Sequence, residues 1–460
     1  MSERMRPLSG REKAGYGIGD FASNLYLGFF GLFLLYYYTD IYGISAAAAA
    51  TIMLATRVVD AITDPIMGAI ADRTRTKWGR YRPYLLFVSV PFGIMGYLTL
   101  AGPDGSETFK IVYALVTYML VMMLYTAINL PYSALLGVIS PRSEERTKAT
   151  VYRFVMASLG NLFVALTATA LVREFGNGDD LVGMRWTMGI FATIAVVSFL
   201  VCFATTRERI EAIPQKIDLK RDLGTMIKDG VWPIVAIGCL LLIVGISLRG
   251  STAVFYFKYL TDYGDQPLLW AFDYFSVNLA LSFVGVALGS LAVAWLRKRW
   301  TKRELMIGSG LLNAVLLVIF YFVPPALYWV ITSIAVASGF LFGIAITAIF
   351  AIYTDVAEFS EWKNHRQVTA LVIAASIFSM KAGGALGGAI PGFALGSVGF
   401  VPNVAQPGEV QNMILVVYTF VPAAAFLLSG VVFLKYPLDR TRVCQIEADL
   451  NKRRGNLAPA

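Results

Sequence analysis

The sequence predicts an all-α integral membrane fold of twelve transmembrane helices in two six-helix halves. Three observations predict it. Of 460 residues, 57% are apolar and 15% charged, too few polar side chains to cover a water-soluble globule of this size. The apolar residues form runs of about 20 or more, the length a helix needs to cross the hydrocarbon core. The 39 Lys and Arg residues gather in short segments between those runs.

The runs cover residues 14–39, 45–71, 83–101, 109–138, 149–172, 183–206, 231–260, 268–296, 304–323, 326–357, 368–395 and 411–436. Backbone groups in lipid must be satisfied within each span, which makes these spans helices. The polar–apolar alternation of a barrel strand is absent. The first run is too long for a signal-peptide core and lacks a small-residue cleavage site, so it is expected to stay in the protein. Basic residues set the orientation. Of 39, 31 lie in the N-terminal segment, alternate loops and C-terminal segment, and only Lys110, Arg173, Arg185 and Lys258 lie in the opposite loops. Both termini are expected in the cytoplasm, in a plasma membrane, most naturally a bacterial inner membrane. The net charge of +9 is thus a topology signal, and its division among seven short segments argues against nucleic-acid binding.

The polar stretch 207–230, with Pro214, reads as a linker between halves at 1–206 and 231–436, and 437–460 as a cytoplasmic tail. A weak repeat supports this division. Gly68–Arg73 leads into a basic loop after the second span, as Gly289 leads into Leu296–Trp300 after the eighth. Ser143-Glu144-Glu145-Arg146 follows the fourth as Ser360-Glu361-Trp362-Lys363 follows the tenth. Parallel six-helix halves are a recurring membrane architecture.

Three dispersed cysteines and one histidine, His365, exclude a disulfide framework, a multi-histidine metal centre and an ordinary nucleophile–base set. A membrane enzyme is therefore a remote alternative. So is a receptor, since no loop is long enough for a soluble domain. No organic cofactor is expected.

The chemistry lies in seven charges inside the spans: Asp20, Arg57, Asp60, Asp64, Arg153, Arg249 and Lys381. Such charges are costly in lipid and usually face a cavity and pair with one another. Arg57, Asp60 and Asp64 stand at i, i+3 and i+7, one face of one helix. Two carboxylates so placed need a proton, a metal cation or a basic side chain between them. A structural ion pair from Arg57 is the plain alternative. Thr63 adds a hydroxyl, and Pro65 frees a backbone carbonyl. Lys381, followed by Ala382-Gly-Gly-Ala-Leu-Gly-Gly388, needs an acidic partner, and the helix-two pair is the expected one. Asp20 and Arg153, single charges with no local partner, can bracket a polyhydroxylated ligand or form a mutual salt bridge. Asn129, Tyr125 and Tyr132 add neutral groups around Pro131. Arg249 is not placed on a face by its surroundings.

Asp60-Ala-Ile-Thr-Asp64-Pro65-Ile-Met-Gly68, with Asp72-Arg-Thr-Arg-Thr-Lys-Trp78-Gly79-Arg80-Tyr-Arg82-Pro83-Tyr84, resembles the glycoside–pentoside–hexuronide:cation symporters. These are the melibiose permease-like branch of the major facilitator superfamily. Gly19-Asp20-Phe21, Tyr36-Tyr-Tyr-Thr-Asp40, Tyr125-Thr126, Pro131-Tyr132 and Arg153-Phe154 agree in order. So do Ala157-Ser158-Leu159, Tyr353-Thr-Asp355 and Ser379-Met-Lys381. The resemblance covers residues 13–440 and is weakest in the second half. It implies cation-coupled transport of a sugar or glycoside by alternating access, carried out by a monomer whose partners are the sugar, the coupling cation and membrane lipid. By resemblance, Asp60 and Asp64 bind the coupling ion (Na+ or H+), with Thr63 and Thr126 beside them. Asp20, Tyr125, Asn129, Arg153 and Lys381 belong to the substrate region. Asp72, Arg80, Asp355 and Arg366 belong to the cytoplasmic gate.

Three positions depart from the melibiose permease-like pattern. Asn129 replaces a sugar-binding carboxylate, Ser133 a sugar-stacking tryptophan, and Thr63 an asparagine beside the sodium ion. The first two argue against a galactoside and admit a hexuronide or sulfonated sugar. The third leaves Na+ and H+ equally open. An amphiphilic lipid such as a lysophospholipid is the alternative substrate, because symporters of such lipids share the acidic pair and the lysine.

Overall fold

The computed structural model describes residues 6–209, 219–264, 266–269, 272–364 and 369–455. Its helices begin where the sequence supplies caps. Ser9 and Glu12 form a capping box at α1 (Gly10–Tyr36), which runs on as a π turn over Tyr37–Ile41. Ser45 caps α2 (Ala46–Arg73), Ser106 caps α5 (Glu107–Val138), and Asp179 caps α7 (Asp180–Thr205). In each, a side-chain oxygen satisfies an amide left open in the first turn. Between these lie α3 (Arg82–Phe87), α4 (Ser89–Thr99) and α6 (Ser143–Gly176). The remaining helices are α8 (Leu219–Lys228), α9 (Val231–Leu260), α10 (Tyr274–Leu296), α11 (Lys302–Tyr321) and α12 (Tyr328–Asn364). They are followed by α13 (Thr369–Ser397), α14 (Gly408–Tyr418), α15 (Phe420–Val432) and α16 (Arg440–Gly455).

Ten helical stretches among the described residues are long and apolar enough to cross a membrane. The expected span 83–101 is divided into α3 and α4. Pro91 cannot donate to the carbonyl of Phe87 four residues back, and the ladder breaks at Val88. Pro422 does the same to Tyr418, dividing the last span into α14 and α15. The span expected at 368–395 is the 29-residue α13. The span expected from 268 begins instead at Tyr274, because β1 (Pro267–Leu269) pairs antiparallel with β2 (Phe272–Asp273).

Two compact units divide the chain. Unit 1 comprises Met1–Pro214, Ala253–Ala280 and Ala389–Val410; unit 2 comprises Gln215–Thr252, Leu281–Gly388 and Gln411–Ala460. In unit 1, α1 packs on α6 and α7, and α2 on α5. The face of α2 bearing Val58, Ile62, Ile66 and Ile70 is exposed, an apolar stripe at i+4 spacing suited to lipid. In unit 2, α11 packs on α12 and α15. The stretch expected as a tail contains α16, whose Ile446 and Leu450 are buried in the same core as Phe359, while Trp362 Nε1 donates to Asp449 at 3.1 Å. The linker residues 210–218, together with His365 and Arg366, lie outside the described residues.

Within unit 2, α10 and α12 meet backbone to backbone. A Cβ at Gly289 would lie 1.9 Å from the carbonyl oxygen of Phe340, and one at Gly343 would lie 2.1 Å from that of Val286. Such contacts permit close packing in lipid, where association depends on van der Waals fit. Gly343→Val is expected to cost about 1–3 kcal/mol through overpacking, seen as a lower melting temperature in detergent. Gly308→Ala, with nothing within 4 Å of the added carbon, should leave it unchanged.

Candidate functional site

Two polar centres form within unit 1. The first grows from the spacing on α2. Arg57 Nη1 donates to Asp60 Oδ2 at 2.9 Å and Nη2 to the Tyr118 hydroxyl at 3.3 Å. Asp60 is 3% exposed. The ion pair allowed by the i, i+3 spacing is therefore made, and Asp60 has a built-in counter-charge. Asp64, half-buried, instead accepts from Thr126 Oγ1 at 2.8 Å. Thr63 Oγ1 turns back to the carbonyl of Asp60 at 3.4 Å, the local bond a helical threonine makes most readily. No group of three or more His, Cys, Asp or Glu able to hold a metal occurs among the described residues. What remains is an all-oxygen set with two carboxylates, suited to a hard monovalent cation or a proton.

The second centre joins α1, α5 and α6. Arg153 Nε donates to Asp20 Oδ2 at 2.9 Å and Nη2 to Oδ1 at 3.3 Å. The two charges read as lacking a local partner are thus paired with each other, because α1 packs along α6. Arg153 Nη2 also donates to Ser133 Oγ at 3.3 Å, and Ser133 to Asn129 Oδ1 at 3.3 Å. Asn129 Nδ2 donates to Ser23 Oγ at 3.2 Å and to the Tyr125 hydroxyl. The guanidinium carbon lies 5.1 Å from the ring centre of Tyr132, which stacks on Tyr16 at 4.9 Å. Ser23 was not singled out from the sequence, although it stands at i+3 from Asp20 on the same face. Two of the three positions that depart from the family pattern, Asn129 and Ser133, are the links that carry Arg153 into the network. Tyr125 and Thr126 are consecutive, so one turn of α5 touches both centres.

The expected gating residues are divided. Asp72 accepts from the Tyr81 hydroxyl at 2.9 Å. That phenol lies in the loop after α2, and its pKa is pushed up to about 12 by burial and by the Asp72 hydrogen bond. Beside it, the carboxylate of Glu208 accepts from the amides of Arg80, Tyr81 and Arg82 at 2.9, 2.8 and 3.1 Å. Gly79, at φ +109°, lets the chain wrap that carboxylate; a Cβ there would meet Glu208 at 2.4 Å. Glu208 gave no signal in the sequence beyond being one acid in a mixed-charge stretch. In unit 2, Asp355 is held by Lys302 Nζ at 2.6 and 2.7 Å. Lys302 had been read only as a topology charge. Lys381 is half-buried on α13 of unit 2. Arg249 is buried in unit 2 among neutral partners. It donates to Ser338 Oγ at 2.7 Å and to the Tyr418 hydroxyl at 3.4 Å, with its guanidinium 5.0 Å from the Tyr418 ring centre.

Comparison with known proteins adds four findings. The family described as MFS/sugar transport protein matches residues 15–440. The inner membrane symporter YicJ of Escherichia coli is 32% identical over 430 residues, covering 93% of this chain and 92% of that protein. The isoprimeverose transporter of Lactiplantibacillus pentosus is 33% identical over 447 residues, covering 96% and 91%. Among solved structures, a D-xylose–proton symporter superposes with a TM-score of 0.63 at 13% identity over 94% of this chain and 98% of its own, a likeness of fold.

The Asp20–Arg153 geometry generates a prediction. Asp20→Asn leaves a guanidinium mostly buried without its counter-charge, which costs about 2–5 kcal/mol for a desolvated pair. Side-chain exposures of 11% and 23% place the effect toward the low end. The melting temperature in detergent should fall. The double variant Asp20→Asn, Arg153→Met should melt above the single one, because no orphaned charge remains.

Proposed function

The chain belongs to the MFS/sugar transport protein family, and from that premise we propose that it is a secondary active symporter coupling Na+ or H+ to uptake of a sugar or glycoside. The observation that carries this reading is the shared turn of α5. Thr126 holds Asp64 of the acidic centre, while Tyr125 and Asn129 belong to the Asp20–Arg153 centre. A cation that draws on Asp64 and Thr126 repositions the same turn that presents hydroxyl and amide groups to a ligand.

The energetics follow from the charges. Arg57 is paired with Asp60, and a monovalent ion or a proton taken up at the acidic centre adds positive charge beside Asp64 and Thr126. Closing a cavity over two neighbouring carboxylates is costly, and ion binding lowers that cost. Asp20 and Arg153 sum to zero, and Asn129 adds no charge. A polyol completes this centre by accepting from the guanidinium edge and donating to the carboxylate. The name of the relative from Lactiplantibacillus pentosus supports a pentose-containing glycoside. Hexuronides and sulfonated sugars remain within the class, with Arg153 as the group that would meet the acid. The positive-inside distribution supports cytoplasmic termini. A ligand drives the transition only through its different affinity for the two states.

The test is uptake into proteoliposomes across glycosides, pentosides and uronides, with sodium and proton gradients imposed separately. One gradient should drive accumulation of one sugar class. Asp64→Asn should abolish accumulation while retaining exchange of labelled sugar across the membrane. Undiminished uphill transport by both Asp60→Asn and Asp64→Asn would refute the cation site.

A further inference from the structure

A third charged cluster lies in unit 1, away from both centres, and no motif or relative assigns it a role. Asp40 stands in the π turn that ends α1, and its side chain is 0% exposed. Lys258, near the end of α9, donates from Nζ to Asp40 Oδ1 at 3.0 Å, to the Tyr36 hydroxyl at 3.1 Å and to Asn403 Oδ1 at 2.6 Å. The Tyr259 hydroxyl also donates to Asp40, and accepts from the amide of Asn403 at 2.9 Å. Asn403 Nδ2 returns to the carbonyl of Asp40 at 2.6 Å. Asn403 sits in the segment after α13 at φ +59°, a conformation asparagine tolerates better than most residues. Three stretches distant in sequence therefore meet around Asp40, with Lys258 and Tyr259 at its carboxylate and Asn403 at its backbone carbonyl.

The packing behind the cluster is equally close. A Cβ added to Gly392 of α13 would lie 2.6 Å from the carbonyl of Ala46, 2.8 Å from Cβ of Ala50 and 3.2 Å from Leu35. Leu35, one residue before Tyr36, is 1% exposed. Phe400 closes over Phe255 and Tyr259 with ring centres 5.7 and 5.4 Å apart. The first six spans contribute Tyr36 and Asp40. Span seven contributes Lys258 and Tyr259, and the segment after span eleven contributes Asn403.

We propose that Asp40, Lys258, Tyr259 and Asn403 form a latch that seals the end of the pathway remote from the termini and parts whenever the site opens to that side. The inference rests on the alternating-access reading, in which one bundle of spans rocks against the other. A desolvated ion pair present in one state and hydrated in the other biases the equilibrium toward the sealed state. Its hydrogen bonds to Tyr36, Tyr259 and Asn403 offset the desolvation of both charges. Lys258 is on this view a positioning residue, separate from ion and sugar.

The test uses full-length protein with Leu35→Cys in a Cys444→Ser background, reconstituted in vesicles. A membrane-impermeant maleimide is added to the face opposite the termini, with no sugar present. The parent should label slowly. Lys258→Met and Asp40→Asn should each label about tenfold faster, as expected when one state loses a buried ion pair. Tyr259→Phe, which removes a hydroxyl but no charge, should fall between and serves if a charge variant fails to fold. Unchanged labelling in variants that melt like the parent would show a permanent weld and overturn the latch. Because labelling needs neither substrate nor ion gradient, its result is independent of whether the proposed sugar symport is correct.

Discussion

An ionised side chain near the bilayer centre costs about 2.5–3.5 kcal/mol on insertion scales, and unit 1 meets that cost by pairing. Arg57 answers Asp60 within α2, Arg153 on α6 answers Asp20 on α1, and Lys258 on α9 answers Asp40. The polar groups nearby are arranged around these pairs. Tyr118 takes the second amino group of Arg57, Ser133 shares Nη2 of Arg153, and Asn403 completes the shell of Lys258. Asp64, one turn further along α2, accepts from the Thr126 hydroxyl of α5.

Pairing also bears on selectivity. A ligand entering the Asp20–Arg153 centre competes with an existing salt bridge, so it must supply both a donor and an acceptor. Sugar hydroxyls do both, whereas an apolar chain does neither. With Asn129 and Ser133 in place of larger or charged groups, the network reaches Arg153 through two neutral links. On the proposed reading, discrimination among sugars would rest on hydrogen-bond geometry, which rejects a mismatched partner by leaving buried groups unsatisfied.

Much of this was readable from the chain. Apolar run length gave the spans, because the bilayer imposes one minimum length on all of them. Spacing gave the Arg57–Asp60 pair, since i and i+3 are neighbours on any helix. For Asp20 and Arg153, 133 residues apart, the salt bridge was one of two readings, and the α1–α6 packing decides it. The misses share a cause. Lys258 and Lys302 look like ordinary loop charges, and their carboxylates lie 218 and 53 residues away. Periodicity reports which residues share a face and is silent on which face meets which. The broken third span had a local cause: Pro91 was visible but sat inside an otherwise uninterrupted apolar run. Glu208 acts on backbone amides, which carry no sequence signature.

The π turn at Tyr37–Ile41 has a consequence for how this protein can diverge. Its bonds, such as Tyr42 N to Tyr37 O at 2.8 Å, enclose one more residue than an α-helical turn does. Deleting Tyr37, Tyr38 or Thr39 would restore the regular ladder and swing the rest of the helix end by about 100°. Asp40 would then face away from Lys258, although no side chain had been substituted. The aim of that carboxylate is encoded in chain length as much as in residue identity. Insertions and deletions at the end of α1 are therefore changes that would reset which side chain meets Lys258, with the residues around Asp64 and Arg153 untouched.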